Sequence, residues 1–307
     1  MPGKIIRFAE LSTQAVNGTF TITGSGTSPV ELRRQDTAGT NPWNITPATV
    51  NVTYAAIENS NTTVARTAYS SANVGGNTGW TFAGTTRTWT GTVSVNWNTA
   101  GNWSPAAVPV NNDSVIIPNV TNKPVLNAAT NSLKNMTIYA GSSLTLSGFG
   151  LTVTSNLSND GTVYLQGGEA VSIAAKNTDS GTFNYNGTGG PYAGLKGGNT
   201  YCNLAFSGTG SWNLNNTLTI NGTYSQSAGT VTTSANAVTA AGAVTVAAGS
   251  LVVSSGGSFN AGTNSITSGG TISSAGSITC GTFTSTGTFK RTGFISKPGQ
   301  PSYTGRT

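Results

Sequence analysis

The side chains from which acid–base, metal and nucleophilic chemistry is ordinarily built are scarce in this 307-residue chain: eight Asp and Glu, 14 Lys and Arg, two Cys and no His. Without histidine the commonest general base and metal ligand are missing, and with them every Ser–His or Cys–His pair. Glycoside hydrolysis needs two carboxylates at a fixed separation, yet Glu10, Glu31, Asp36, Glu58, Asp113, Asp160, Glu169 and Asp179 are strung out along the chain. The best grouping is Glu169, Lys176 and Asp179, a base near two acids that could hold a cation; charges decorating a loop are the favoured reading. Cys202 and Cys280 are too far apart for a metal motif, and each sits in a strand-like phrase, so buried thiols are favoured over a disulfide. Gly-rich runs such as Gly167-Gly168-Glu169 lack the acid spacing of calcium-binding repeats. The chain therefore reads as no enzyme, with no catalytic residue, no metal and no cofactor.

The aromatic residues offer a different chemistry. Trp89, Trp97 and Trp103 crowd into one short segment, and such indoles either stack sugar rings as an exposed platform or bury themselves as packing. Asn98 and Gly101 between Trp97 and Trp103 imply a turn, so rings folded back to brace a larger β structure are favoured, and a glycan platform is the alternative. Asn96, Asn102 and Asp113 are then expected to bond the backbone of the loop. The net charge of +6 reflects few acids rather than a basic face. Apart from Arg33-Arg34 and the group Lys290, Arg291, Lys297 and Arg306, the bases are scattered, and no stripe for nucleic acid emerges. The basic end reads as a contact arm.

The elements that must position these residues are β. Only 7% of residues are charged, against roughly 25% in an ordinary domain. The polar residues nevertheless alternate with Val, Leu and Ile, a period of two that a disordered chain has no reason to keep. Phrases such as Ser143-Leu144-Thr145-Leu146, Leu151-Thr152-Val153-Thr154 and Leu251-Val252-Val253 recur, closed by Gly-containing turns. This predicts an all-β fold, a parallel β-helix or β-solenoid, right-handed by default, with coils of roughly 20–26 residues. Four parts are expected: an N-terminal solenoid section at 1–86, a Trp-rich connecting insertion at 87–120, solenoid repeats at 121–289 and a basic tail at 290–307. No run approaches the ~18 apolar residues of a membrane span. The start, Met1 to Arg7, lacks a secretory apolar region, although the composition is that of a secreted chain; a targeting signal upstream is expected.

One segment carries a resemblance. Trp89-Thr90-Gly91, Asn96-Trp97, Asn102-Trp103-Ser104, Val108-Pro109 and Asp113-Ser114-Val115-Ile116-Ile117-Pro118 follow in order. Together they resemble a stretch of bacterial extracellular β-helix repeat surface proteins of the adhesin-like kind. The resemblance implies an extracellular or cell-surface parallel β-helix with structural or adhesive roles. The expectation is a subunit that polymerises with itself head-to-tail into a filament or surface fibre, through strand donation at its ends, with Ile5, Ile6, Phe8, Phe289 and Phe294 at the joint. A glycan-binding adhesin module using Trp89, Trp97 and Trp103 is the alternative, and a polysaccharide lyase-like enzyme is a remote one.

Overall fold

The structure is a computed structural model, and it describes residues 2–25, 28–36 and 38–298. It is a β-solenoid of about 12 turns, built from stacked parallel strands. The one helical turn among the described residues is the 3-10 segment Ala100–Asn102. Alternation produces this result directly. In strands such as Val30–Arg34, Leu251 within Ser250–Val253 or Ile272 within Thr271–Ser274, every second side chain turns inward and is buried.

Two sections differ in cross-section. In the first, each coil has two strands. Ile5–Phe8, Val30–Arg34, Ala55–Glu58 and Ala72–Gly75 form one four-stranded sheet. Thr13–Thr23, Trp43–Thr53, Ser60–Tyr69 and Thr78–Ala83 form the other. Their core gathers Ile22, Leu32, Trp43, Ile45, Val52 and Ile57. The second section begins at Thr86–Trp89 with a separate core. Its early coils, such as Leu151–Asn159 with Thr162–Leu165, still hold two strands, and from Tyr192 onward each coil holds three. Coil length varies more than expected: Thr19 and Thr49 pair across 30 residues, Asn203 and Thr223 across 20, and Thr279 and Ser296 across 17.

Inside the three-stranded coils, residues stack in columns. Leu204, Tyr224, Val244, Ile266 and Phe283 lie one above the next, as do Trp212, Val231, Leu251, Ile272 and Phe289. Each fully buried aliphatic rung contributes about 1.5–3 kcal/mol. One corner is a glycine column: a Cβ on Gly229, Gly249, Gly270 or Gly287 would collide with the carbonyl of the glycine one coil below. Backbone there packs on backbone, so only glycine fits. The ladder runs past the expected boundary at 289. Thr288–Arg291 and Phe294–Ser296 pair with Thr271–Ser274 and Ser277–Thr279, because Phe289 alternates inward as Ile272 does below it. Arg306 lies outside the described residues.

Candidate functional site

The Trp-rich segment is the point where the two sections join, and its residues are organised around two buried polar groups. Asn102, fully buried, accepts the amides of Val93 and Ser94 on Oδ1 (both 2.9 Å) and donates from Nδ2 to Asn96 O (2.8 Å) and Ser94 Oγ (3.1 Å). Its whole hydrogen-bonding capacity is spent holding the loop between Trp89 and Trp103. Asp113, also fully buried, reaches in two directions. Oδ1 accepts from Thr85 N (2.7 Å) and Ser70 Oγ (3.0 Å), and Oδ2 from Val110 N (3.0 Å) and Arg87 Nε (3.2 Å). Ser70 belongs to the first section, so this carboxylate ties the sections together. Arg87 is 1% exposed, donates to Pro105 O (3.2 Å) and lies 5.0 Å from the centre of the Tyr54 ring. A buried ion pair survives desolvation only with such added bonds.

The three indoles cap the second core. Trp89 and Trp103 meet edge to face at 5.0 Å, and Trp97 and Trp103 at 4.7 Å. Trp103 Nε1–H donates to Trp97 O (2.8 Å) and Trp89 Nε1–H to Asn122 O (2.7 Å). Gly91, at φ +60°, lets the chain turn back against Asn122, where a Cβ would press on both the Asn122 carbonyl and the Trp89 indole nitrogen. Their exposures of 0%, 2% and 2% correct the glycan-platform alternative. A sugar needs a ring face, and all three faces are covered because the segment is the first coil of the second section rather than a loop standing off it.

The catalytic grouping is not brought together. Glu169 is buried in a turn, where its carboxylate accepts the amides of Gln166 (2.6 Å), Gly167 (2.7 Å) and Gly148 (3.3 Å). Lys176 donates to Thr200 O and sits over the Tyr201 and Phe183 rings at 4.8 and 5.5 Å. Burial lowers its pKa from the ordinary lysine value. Asp179 accepts from Asn177 Nδ2 and Ser180 Oγ. Each charge is used locally. Both cysteines are free, Cys280 buried and Cys202 half-buried, and desolvation pushes both thiols up. No group of three or more Asp, Glu or Cys able to hold a metal occurs among the described residues, and no helix among them is long and apolar enough to cross a membrane.

The residues expected at an assembly joint lie in the end coils. Ile5 is exposed, while Ile6 and Phe8 pack against the first core, Phe8 stacked on Trp43 at 4.0 Å. Phe289 is half-buried, and its ring lies in the same coil as Phe283 at 4.9 Å. Phe294 is in the last strand among the described residues, Phe294–Ser296, and its side chain lies outside them. Sequence reasoning missed the carboxylate turn at Glu169 and the pairing of Arg87 with Asp113. The one available signal was an unpaired Glu inside a Gly-rich run. It also missed a strand edge left open at Val171–Lys176.

A family model described as a domain of unknown function (DUF8693) matches residues 88–195, which takes in the Trp-rich segment and the two-stranded coils up to the change in cross-section. No curated protein and no solved structure matches the chain.

Proposed function

We propose that this chain is a structural β-solenoid rod, placed outside the cell or on its surface, whose copies associate end to end into a filament or fibre. The observation that carries this reading is the one-sided pairing of the end strands among the described residues. Among the described residues, Ile5–Phe8 and Thr13–Thr23 at one end each ladder with a single neighbouring strand, as do Thr282–Ser285, Thr288–Arg291 and Phe294–Ser296 at the other. Open strand edges recruit further strands, and a contact between unlike ends does not close on itself. The ends differ in cross-section, so the matching ladders are the short ones without an edge lysine: Ile5–Phe8 and Thr282–Ser285 are each four residues long, whereas Thr288–Arg291 carries Lys290 and Arg291. Phe8 is already committed to Trp43, so the joint adds edge to edge rather than releasing a strand. The extracellular placement rests on the charge-poor composition and on the resemblance of residues 89–118.

Sedimentation velocity over a range of concentrations tests this, using wild type, Ile5→Lys and Thr284→Lys. Both sites are exposed on end strands, and an edge lysine blocks pairing without disturbing the core. The wild type is expected to polymerise with concentration and each variant to stay monomeric. Assembly that ignores both substitutions, or a wild type that never assembles, overturns the proposal.

A further inference from the structure

The change from two to three strands per coil leaves a defect in the flank of the rod. The six-stranded sheet that starts with Trp103–Ser104 and Thr86–Trp89 ends at Val171–Lys176, whose one strand partner among the described residues is Leu151–Asn159. In the following coils the chain instead founds two new sheets at Tyr192–Ala193 and Thr200–Tyr201. Leu151 N–H donates to Ala170 O, so by the alternation of a parallel ladder Ser172 turns its amide to the same neighbour, while Val171 and Ile173 turn theirs to the open side. Facing that side across a groove of about 420 Å³ is the segment Lys196–Gly198.

The first five residues of the edge are unprotected, and its one charge, Lys176, stands at its end. Natural open edges are blunted by proline, inward charges or bulges; Val171-Ser172-Ile173-Ala174-Ala175 has no proline and no charge, and Ser172, Ala174 and Ala175 are small and exposed. Among the described residues that line the groove, Lys176 and Lys196 are the charged ones and none is acidic. Among the described residues Lys176 has no carboxylate partner; it donates to the Thr200 carbonyl and lies over the Phe183 and Tyr201 rings. Lys196 donates to Ala193 O (3.4 Å) and keeps further donors. A Cβ built on Gly198 would lie 3.7 Å from the Lys176 ammonium nitrogen, so the two approach closely across the groove.

We propose that the open edge of Val171–Lys176 docks an extended peptide segment of a partner protein, which adds to the sheet as a further strand and places an acidic side chain or terminal carboxylate against Lys176 and Lys196. Backbone pairing supplies the affinity and the two cations supply the polarity, the usual division of labour in strand addition. This site is on the flank and does not depend on the end-to-end joint.

The probe is a short fluorescein-labelled peptide of alternating Val and Thr flanked by Glu, followed by fluorescence anisotropy on the full chain. Two control peptides have flanking Lys or N-methylated alternate amides. Ile173→Pro removes an outward amide at a position where an edge strand tolerates proline, and Ile173→Ala removes the same side chain but keeps the amide. Thermal melting confirms that both variants fold. Expected are binding of the acidic probe, at least ~10-fold weakening with Lys flanks or with Lys196→Glu, loss on N-methylation, and loss in Ile173→Pro but not in Ile173→Ala. Absence of binding at about millimolar probe overturns the proposal, as does equal binding by the two Ile173 variants. A dimer of the free chain that Ile173→Pro abolishes assigns the edge to a second copy and also overturns it.

Discussion

Asp113→Asn removes one charge from the junction and leaves the volume nearly unchanged. The carboxylate accepts four hydrogen bonds, and an amide can accept on only one of its two terminal atoms. Its NH₂ must therefore face either Thr85 N–H and Ser70 Oγ or Val110 N–H and Arg87 Nε. At least one buried backbone donor is left unpaired, worth about 1–3 kcal/mol. Arg87, 1% exposed, also loses its only carboxylate, and breaking one side of a buried pair costs about 3–5 kcal/mol in total. Urea unfolding followed by tryptophan fluorescence reads this change, because Trp89, Trp97 and Trp103 lie in the same coil. The expected loss is about 3–5 kcal/mol in the transition that exposes them. Adding Arg87→Met should recover part of it, with a coupling of about 0.5–3 kcal/mol. A loss below about 0.5 kcal/mol, within the range of ordinary surface changes, or strict additivity of the two substitutions, refutes the assignment of Asp113 as the tie between the sections.

Three further outcomes follow from the same geometry. Trp103→Ala opens the cap of the second core and should cost about 3–5 kcal/mol, with Trp103→Phe less damaging, both measured by thermal melting. Glu169→Gln keeps the shape of its turn but aims an NH₂ at backbone amides, so a loss of about 1–3 kcal/mol is expected by chemical denaturation. Tyr185, Tyr201 and Tyr224 are buried, and desolvation raises the pKa of each. The folded state therefore holds protons that the unfolded state has released, and stability is lost as pH rises above about 10, the ordinary tyrosine value. Lys176 opposes this: its lowered pKa means that stability rises as it deprotonates toward its unfolded value. Melting temperatures between neutral and strongly alkaline pH should fall at the top of the range, and Tyr224→Phe should flatten that fall.

Much of the architecture was legible because it is written in alternation. The phrases around Leu144, Val153 and Leu251 announce inward-facing rungs, and Gly-containing turns close them, so the solenoid follows from a period of two. The backbone-bonding roles of Asn102 and Asp113 could be anticipated from their residue types beside the tryptophans. What could not be read is lateral. Which coils have two strands and which have three depends on how turns such as that at 187–190 route the chain, a region where Tyr192 packs on Trp212 (5.9 Å) and Tyr185 on Phe206 (5.4 Å). The open edge at Val171–Lys176 is a by-product of that routing, and nothing in its own six residues distinguishes it from a covered strand. The partner of Asp113 was equally hidden, because Ser70 is brought to it by stacking and lies 43 residues away.

Negative-stain electron microscopy of the purified chain at increasing concentration tests the proposed function most directly. About 12 turns at the ~4.8 Å spacing of paired strands give a rod roughly 60 Å long. End-to-end association predicts unbranched filaments that repeat at about that length and shorten to single rods on dilution. Single rods at every concentration, or side-by-side bundles without an axial repeat, contradict it.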